Sequence, residues 1–294
     1  MCTAINDMGT THLFGRTLDL EYSLDEMVAV IPRNFEFSFI HQEKIHDHEA
    51  IIGTAHFEGD HPLFYDGMNE SGLCVAALRF PKLCVYHDKA EHKINLASFE
   101  LIPWILCKFN SAKQAHDALK DVNITQDGYS QKLPSSPLHW IVADKNDTFV
   151  IECREDGLKI YDNPYGVLAN APDFPTQCFI NDKFGEPMLG DMSSSSRFIR
   201  TVNAKNCTLP AVDHTEAISR FFHILGTVNQ PHGLFSADDR QLKTVYTSCM
   251  DTQNKTYYFT TYDCRTIRAV RLKSSYDLVQ SFPMARGEQI EYLN

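Results

Sequence analysis

Long apolar runs are missing from this sequence of 294 residues. No stretch approaches the roughly 18 uninterrupted apolar residues that a membrane helix needs. The first seven residues, MCTAIND, lack the basic and apolar regions of a signal peptide. We therefore expect a soluble protein that stays in the cytoplasm and has no membrane partner.

Basic residues are also few in comparison with acidic ones. Lysine and arginine number 27 against 38 aspartates and glutamates, which gives a formal net charge of −11. A nucleic-acid partner requires a basic face, so this balance argues against one. If the substrate is an anion, a local cluster of arginines must override the overall field.

Patterns that bind metals or cofactors are equally scarce. The nine cysteines are scattered singly, without the close pairs of a zinc site, and they fit reduced thiols in a cytosol. No glycine-rich phosphate loop is present. His46, His48 and Glu49 could bind a metal, but in such a polar, charged loop we favour a solvated surface. We expect no metal and no cofactor.

The organisation of the chain favours one domain covering residues 1–294. We find no internal repeat and no linker rich in proline, glycine and serine that would mark a boundary. Apolar residues make up 43% of the chain, which is enough for a substantial core.

Two parts of the chain predict antiparallel strands. Residues 138–143, 148–152 and 158–161 are apolar runs separated by short polar turns, which indicates a meander. In the C-terminal third, β-branched and aromatic residues dominate three more runs, at 244–249, 256–261 and 267–272.

Helices are predicted between these strands. Ser111 is a candidate N-cap for a helix whose apolar face runs from Ala112 to Val122, and Asp213 with Glu216 resembles a capping box. Residues 96–108 are apolar nearly all round, which favours a buried helix. Amphipathic helices outside two antiparallel sheets give an α+β fold, a four-layer αββα sandwich.

Cys2 is unusual for its position. A small second residue permits removal of the initiator Met1, and Cys2 then carries both a nucleophilic thiol and an α-amine. With a reference pKa of about 8, that amine is partly neutral at cellular pH and can take the thiol proton. Taken alone, this start also fits a frayed terminus without function.

Arg16 and Asp19 are the next candidates. An arginine near the thiol favours thiolate, and an aspartate could hydrogen-bond the α-amine. Because a strand has a period of two, a separation of three puts the side chains on opposite faces, so a bend is required to bring them together. A surface ion pair at a hairpin end is the alternative.

Ten short motifs, spread in order over nearly the whole chain, resemble the choloylglycine hydrolase family. That family joins bile salt hydrolases and penicillin V acylases within the N-terminal-nucleophile hydrolases. The motifs are MCT at 1–3, FGRTLD at 14–19, EYS at 21–23, IPRN at 31–34, DGMNESGL at 66–73, LHW at 138–140, GVLAN at 166–170, SRFIR at 196–200, FFHIL at 221–225 and YTSC at 246–249.

The resemblance implies an αββα sandwich and a set of site residues. Cys2 matches the nucleophile, while Arg16 and Asp19 match residues that line and orient it. Asn170 matches an oxyanion-hole side chain, and Arg197 matches a second active-site arginine. Arg197 would stand near a helix N-terminus, an unfavourable place for a cation, which supports a local partner.

Two departures from the family pattern affect substrate and assembly. Where many bile salt hydrolases read Gly-Leu-Asn-Phe, this chain has Ala77-Leu78-Arg79-Phe80. The oxyanion donor at that position is a main-chain N–H, so Arg79 is compatible with catalysis but changes the pocket. The connection from Asn170 to Arg197 lacks a longer excursion used in tetramer assembly, and we expect a homodimer or a monomer.

We therefore expect a cysteine amidase that hydrolyses glycine- or taurine-conjugated bile salts. An acylase of penicillin V or of another N-acyl amide is the alternative enzyme. A non-catalytic binding protein with the same fold is the alternative from another class.

Overall fold

The fold was analysed in a computed structural model, which describes residues 1–184, 191–237 and 240–284. The strands in these residues are β1 (Cys2–Met8), β2 (His12–Leu20), β3 (Met27–Ile31), β4 (Ile51–Glu58), β5 (His61–Asn69), β6 (Cys74–Arg79), β7 (Ile94–Ala97), β8 (Val122–Thr125), β9 (Leu138–Ala143), β10 (Thr148–Arg154), β11 (Gly157–Asp162), β12 (Val167–Leu168), β13 (Phe235–Ala237), β14 (Arg240–Asp251), β15 (Thr256–Thr261), β16 (Arg268–Arg271) and β17 (Gln280–Pro283). The α-helices are α1 (Leu101–Lys108), α2 (Ala112–Leu119), α3 (Phe174–Phe184), α4 (Ser194–Cys207) and α5 (His214–Gly226).

Two large antiparallel sheets form the centre of the molecule. The seven-stranded sheet has the order β12-β1-β2-β14-β15-β16, with β13 paired to β14. The eight-stranded sheet has the order β11-β10-β9-β6-β5-β4-β3-β17. A separate parallel pair, β7 with β8, completes the sheets.

Many strands are buried on both faces, and their successive side chains enter two different cores in alternation. In β6, Cys74, Ala76 and Leu78 belong to the core between the two sheets, whereas Val75 and Ala77 belong to the core under the helices. Because successive side chains point to opposite faces, a strand in an inner layer must be apolar at every position.

The helices form the two outer layers. The eight-stranded sheet is covered by α1 and α2, whose buried residues include Trp104 and Leu119. The seven-stranded sheet is covered by α4 and α5, through residues such as Phe198 and Phe221. The predicted αββα sandwich is therefore confirmed.

The local predictions hold where short-range chemistry decides. The meander is β9 to β11 and the C-terminal strands are β14 to β16. Ser111 accepts a hydrogen bond from the N–H of Gln114, and Asp213 accepts one from the N–H of Glu216, so both N-caps are confirmed. The carboxylate of Glu216 accepts from the N–H of Val212, one residue before the position that a capping box requires.

Two predicted helices are too long. The buried helix begins at Leu101, because residues 94–97 form β7 and residues 98–100 form one 3₁₀ turn. The second helix ends at Leu119, and Val122 begins β8. Both errors fall on the β7–β8 pair, whose register joins Ile94 to Val122, a contact that periodicity within one segment does not reveal.

The described helices are short. The longest has 14 residues, and no helix in the described parts of the chain is long and apolar enough to cross a membrane.

Candidate active site

The hairpin of β1 and β2 places Cys2 and Arg16 on one face of the seven-stranded sheet. Cys2 lies opposite Leu18 and Ala4 lies opposite Arg16, so the two side chains are diagonal neighbours. This face is turned toward the eight-stranded sheet, and the Cys2 residue is only 3% exposed. All nine cysteines are free thiols.

Arg16 joins the two sheets next to the thiol. Its guanidinium donates hydrogen bonds to the carbonyl oxygens of Ala77 and Tyr65, both in the eight-stranded sheet. Burial opposes its charge, but neighbours led by Cys2 and Tyr246 outweigh burial and raise the pKa of Arg16. Among the described residues Nη2 has no hydrogen-bond partner, which leaves one donor uncommitted in a buried place.

The side chain of Asp19 leaves β2 on the face opposite to that of Arg16. Strand β2 runs unbroken from His12 to Leu20, without the bend that would bring the side chains of Arg16 and Asp19 onto one face. The carboxylate accepts hydrogen bonds from Oγ1 of Thr244 at 2.7 Å and from Nε2 of Gln230 at 3.1 Å. Asp19 reaches the chain terminus through its main-chain carbonyl, which accepts from the amine of Met1 at 2.6 Å.

Asn170 and Arg197 meet at the main chain of Cys2. Oδ1 of Asn170 accepts from the N–H of Cys2 at 2.7 Å and from Nη2 of Arg197 at 2.8 Å. Nη1 of Arg197 donates to the carbonyl of Cys2 and to Oγ1 of Thr3. Burial lowers the pKa of Arg197. Two donors on Oδ1 fix the orientation of the Asn170 amide.

The other end of the Asn170 amide points to Arg79. Nδ2 donates one hydrogen bond, at 2.7 Å, to the carbonyl of Arg79, which ends β6. An amide nitrogen carries two hydrogens, so a second donor is available beside the thiol. The Arg79 residue is exposed.

The terminal amine in this structure belongs to Met1. Burial lowers the pKa of this amine, and Nη2 of Arg197 lies 3.5 Å from Sδ of Met1. Met1 lines the space next to Cys2, where a substrate would have to bind.

Two cavities that share lining residues lie at the candidate site. One of about 540 Å³ contains Cys2 and Arg16 and is lined mainly by apolar residues. The other, of about 950 Å³, is lined by Asn170, by apolar residues such as Leu83 and Phe235, and by several charged residues. Both are lined by Met1, Asp19, Leu20, Leu24, Arg79 and Arg240.

Four of the predicted site residues are thus brought together directly, namely Cys2, Arg16, Asn170 and Arg197. Asp19 and Arg79 contribute through main-chain groups. Sequence reasoning missed Gln230 and Thr244, which hold Asp19. No local signal marks either residue, because Thr244 lies in a strand that carries several other polar residues.

The residues considered as a metal site make other contacts. The two ring nitrogens of His48 lie 2.7 Å from the carbonyl of Glu49 and 2.9 Å from that of Phe35. In the described ranges no group of three or more histidine, cysteine, aspartate or glutamate side chains could hold a metal ion.

Comparison with known proteins decides the family. A model of linear amide C–N hydrolases, choloylglycine hydrolase family, matches residues 2–186 and 183–280. The chain belongs to this family. Among its relatives, the bile salt hydrolase/transferase of Lactiplantibacillus plantarum is 38% identical over 325 aligned positions that cover both chains completely. The protein of the same name from Clostridium perfringens is 31% identical, with 92% of each chain covered.

Solved structures agree with this choloylglycine hydrolase fold. A mutant of conjugated bile acid hydrolase from Clostridium perfringens superposes with a TM-score of 0.89 at 29% identity, over all of both chains. Penicillin V acylase from Agrobacterium tumefaciens gives a TM-score of 0.81 at 20% identity, covering 96% of this chain and 90% of its own.

Family membership settles the reaction class. The chain is a hydrolase of linear carbon–nitrogen amide bonds, and the alternative of a non-catalytic binding protein is set aside. The relatives are named for bile salts, and the fold is shared with a penicillin V acylase.

Proposed function

We propose that this choloylglycine hydrolase cleaves glycine- or taurine-conjugated bile salts, with the thiol of Cys2 as nucleophile and its own α-amine as base after removal of Met1. The observation that carries the proposal is the pair of hydrogen bonds that Oδ1 of Asn170 accepts, one from the main-chain nitrogen of Cys2 and one from Arg197. It holds the future amine in place and leaves one amide hydrogen of Asn170, the one not donated to the carbonyl of Arg79, for the substrate.

In the first half of the proposed reaction, Sγ of Cys2 attacks the amide carbonyl carbon and the α-amine takes the thiol proton. The carbonyl oxygen becomes anionic and accepts from the second N–H of Asn170 and from the main-chain N–H of Arg79. A donor of this kind contributes about 2.7–4 kcal/mol to the transition state. Arg16, held beside Cys2 by carbonyls of the opposite sheet, stabilises negative charge at the thiol.

The second half releases both products. The C–N bond breaks as the α-ammonium returns its proton to the leaving nitrogen, which leaves a thioester on Cys2. A water molecule then gives a proton to the amine and attacks the thioester. The carbon–sulfur bond breaks, the acid departs, and the sulfur regains the proton.

The two cavities support a steroid substrate. The smaller one offers an apolar wall to a rigid apolar body, since Leu63, Phe64, Phe99, Ile102 and Leu133 line it. The larger one carries Arg79, Lys82 and Arg240, whose positive charges suit the carboxylate or sulfonate of a glycine or taurine tail. Arg79 and Arg240 line both cavities, where the two parts of the substrate would join.

The nucleophile is tested by Cys2→Ser and Cys2→Ala. Both variants should fold as the wild type does and lose at least about 99% of turnover. A serine hydroxyl is far less ionised than a thiol at neutral pH, and alanine has no nucleophilic atom. Turnover above a few per cent in either variant would contradict the assignment. Intact-mass spectrometry of the wild type should show the loss of Met1, since a retained Met1 leaves no amine on Cys2.

Substrate preference is tested by comparing glycocholate, taurocholate and penicillin V. We expect higher kcat/KM on the conjugated bile salts than on penicillin V, and a lower value for them in Arg79→Asn. Lys89→Asn removes one exposed charge outside the two cavities and serves as the control. Higher efficiency on penicillin V would overturn the bile salt proposal. A rise in bile salt turnover in Arg79→Asn would show that the arginine obstructs the cleft.

Three features stay predictions. They are a single domain over residues 1–294, a cytoplasmic location, and an assembly smaller than a tetramer, with a dimer preferred because two-fold symmetry is the commonest closed form. Light scattering on a sizing column tests the assembly, and a stable tetramer at micromolar concentration would contradict it.

A further inference from the structure

The buried amide of Gln177 is bonded entirely to the chain around Asn170. Its Nε2 donates to the carbonyl of Asn170 at 2.6 Å and to the carbonyl of Pro172 at 2.8 Å. Its Oε1 accepts from the N–H of Ala169 at 3.1 Å. Gln177 is 1% exposed, so these bonds are shielded from water.

Helix α3 holds Gln177 rigidly. Oδ1 of Asp173 accepts from the N–H of Thr176 at 3.0 Å, which caps the first turn, and the N–H of Gln177 donates to the carbonyl of Asp173 at 2.9 Å. Oε1 of Glu152, a fully buried residue of β10, accepts from the N–H of Phe174 at 2.9 Å. The start of α3 is thereby anchored to the eight-stranded sheet.

The segment that Gln177 holds comes from the other sheet. Ala169 and Asn170 follow β12, which pairs with β1, the strand of Cys2. Gln177 therefore fixes the Asn170 loop relative to the carbonyl of Arg79, which ends a strand of the eight-stranded sheet.

We propose that Gln177 is a positioning residue for catalysis, which sets the place of the Asn170 amide without touching the substrate. This inference rests on the proposed role of Asn170 as an oxyanion donor. A misplacement of about 1 Å at a catalytic group can cost about 100-fold in rate. Without Gln177 the loop keeps the contacts of Asn170 to Cys2 and Arg197, so the expected loss is smaller than that for removal of Asn170.

A purely structural role would give another result, and Asn69 provides the matched control. Asn69 is fully buried, and its Nδ2 donates to the carbonyls of Leu106 and Phe109 while its Oδ1 accepts from the N–H of Leu73. It thus makes the same three kinds of bond as Gln177 under α1, and it lines neither cavity beside Cys2.

The test compares Gln177→Leu, the milder Gln177→Met and the control Asn69→Leu in the full chain. The substrate is whichever of glycocholate and penicillin V the wild type hydrolyses faster. Both Gln177 variants should lose about 10- to 100-fold in kcat with KM changed by less than about threefold. Alkylation of Cys2 by iodoacetamide requires no oxyanion donor, so its rate should stay within about twofold of the wild type. Asn69→Leu should lower the melting temperature but leave kcat unchanged below that temperature.

The outcomes separate this inference from the function on which it rests. An unchanged kcat in the folded Gln177 variants, or an alkylation rate that falls in parallel with kcat, would overturn the positioning role. Cys2→Ala is included as a reference: if it kept its turnover, the proposed nucleophile itself would be wrong, whatever the Gln177 variants do.

Discussion

The β1–β2 hairpin carries a buried polar cluster at each of its ends. At the turn end, the ring of His12 lies between Oδ1 of Asn6 at 2.6 Å and Oγ1 of Thr252 at 2.7 Å. Asp7 accepts from Nη1 of Arg220 at 2.6 Å. Both ring nitrogens of the histidine have a partner, and the ion pair is nearly closed to solvent.

At the end that carries Cys2, the nucleophile end, fewer of the buried polar groups have a hydrogen-bond partner. Nη2 of Arg16 lacks a partner in the part of the chain that the structure describes, and Cys2 and Arg16 line a cavity. Asn170 has an amide hydrogen to spare. Burial of polar groups is therefore common to both ends, and the difference is an uncommitted donor next to open space. That combination is what we expect of the proposed active site.

Among the variants that test this difference between the two ends, those of Arg16 should lose the most activity. Arg16→Leu removes the charge and the hydrogen bonds to three carbonyl oxygens, so we expect kcat/KM to fall by at least about 100-fold, equivalent to about 2.7 kcal/mol. Arg16→Lys keeps the charge but not the fork of donors and should lose at least about tenfold. Steady-state kinetics at pH 7 would measure both.

The matching change at the turn end is His12→Gln, which should leave kcat/KM within about twofold. A folded Arg16→Lys enzyme with kinetics within threefold of the wild type would remove the distinction between the ends.

The two buried aspartates of the hairpin allow a second, smaller test. In Asp19→Asn the new amide group must face the donor of Thr244 or Gln230, and the negative charge near the terminal amine is lost. We expect kcat to fall about 10- to 100-fold. In Asp7→Asn the partner is Arg220, and we expect a stability loss of about 1–3 kcal/mol with kcat unchanged.

Kinetics and urea unfolding of the two aspartate variants would show whether each aspartate serves activity or only stability. An Asp19→Asn enzyme that lost only stability would mean that Asp19 is structural like Asp7.

The sequence predicted the parts of the fold that short-range chemistry decides. Strands β9 to β11 are separated by polar turns, and Ser111 and Asp213 cap helices with their own side chains. The boundary errors near Leu96 and Val122 arose because Leu96 pairs with Ile124 and Val122 pairs with Ile94 in a parallel register. Such pairing depends on tertiary contact, which overrides local periodicity.

The site was predictable in its residues but not in its geometry. The resemblance named Asn170 and Arg197, and the structure brings both to Cys2. It did not reveal that Gln230 and Thr244 hold Asp19, nor that Gln177 holds the Asn170 loop. These depend on contacts between distant segments, for which a single sequence has no periodic signal.

The smallest effect concerns pH at the turn end. Burial lowers the pKa of His12 from its ordinary value of 6.5 to about 4. Between these values the unfolded chain binds a proton that the folded chain does not, so stability due to this residue is complete above pH 6.5 and is lost as the pH falls toward 4. The loss by pH 4.5 should be about 2–3 kcal/mol.

In His12→Gln this contribution should disappear, so the free energy of unfolding should change less between pH 7.5 and pH 4.5 than in the wild type. His46→Gln alters an exposed ring and should follow the wild type. Urea unfolding at the two pH values measures the difference. Equal pH dependence in His12→Gln and the wild type would mean that the histidine is protonated within the fold. The turn end would then hold a buried charge, as the nucleophile end does at Arg16.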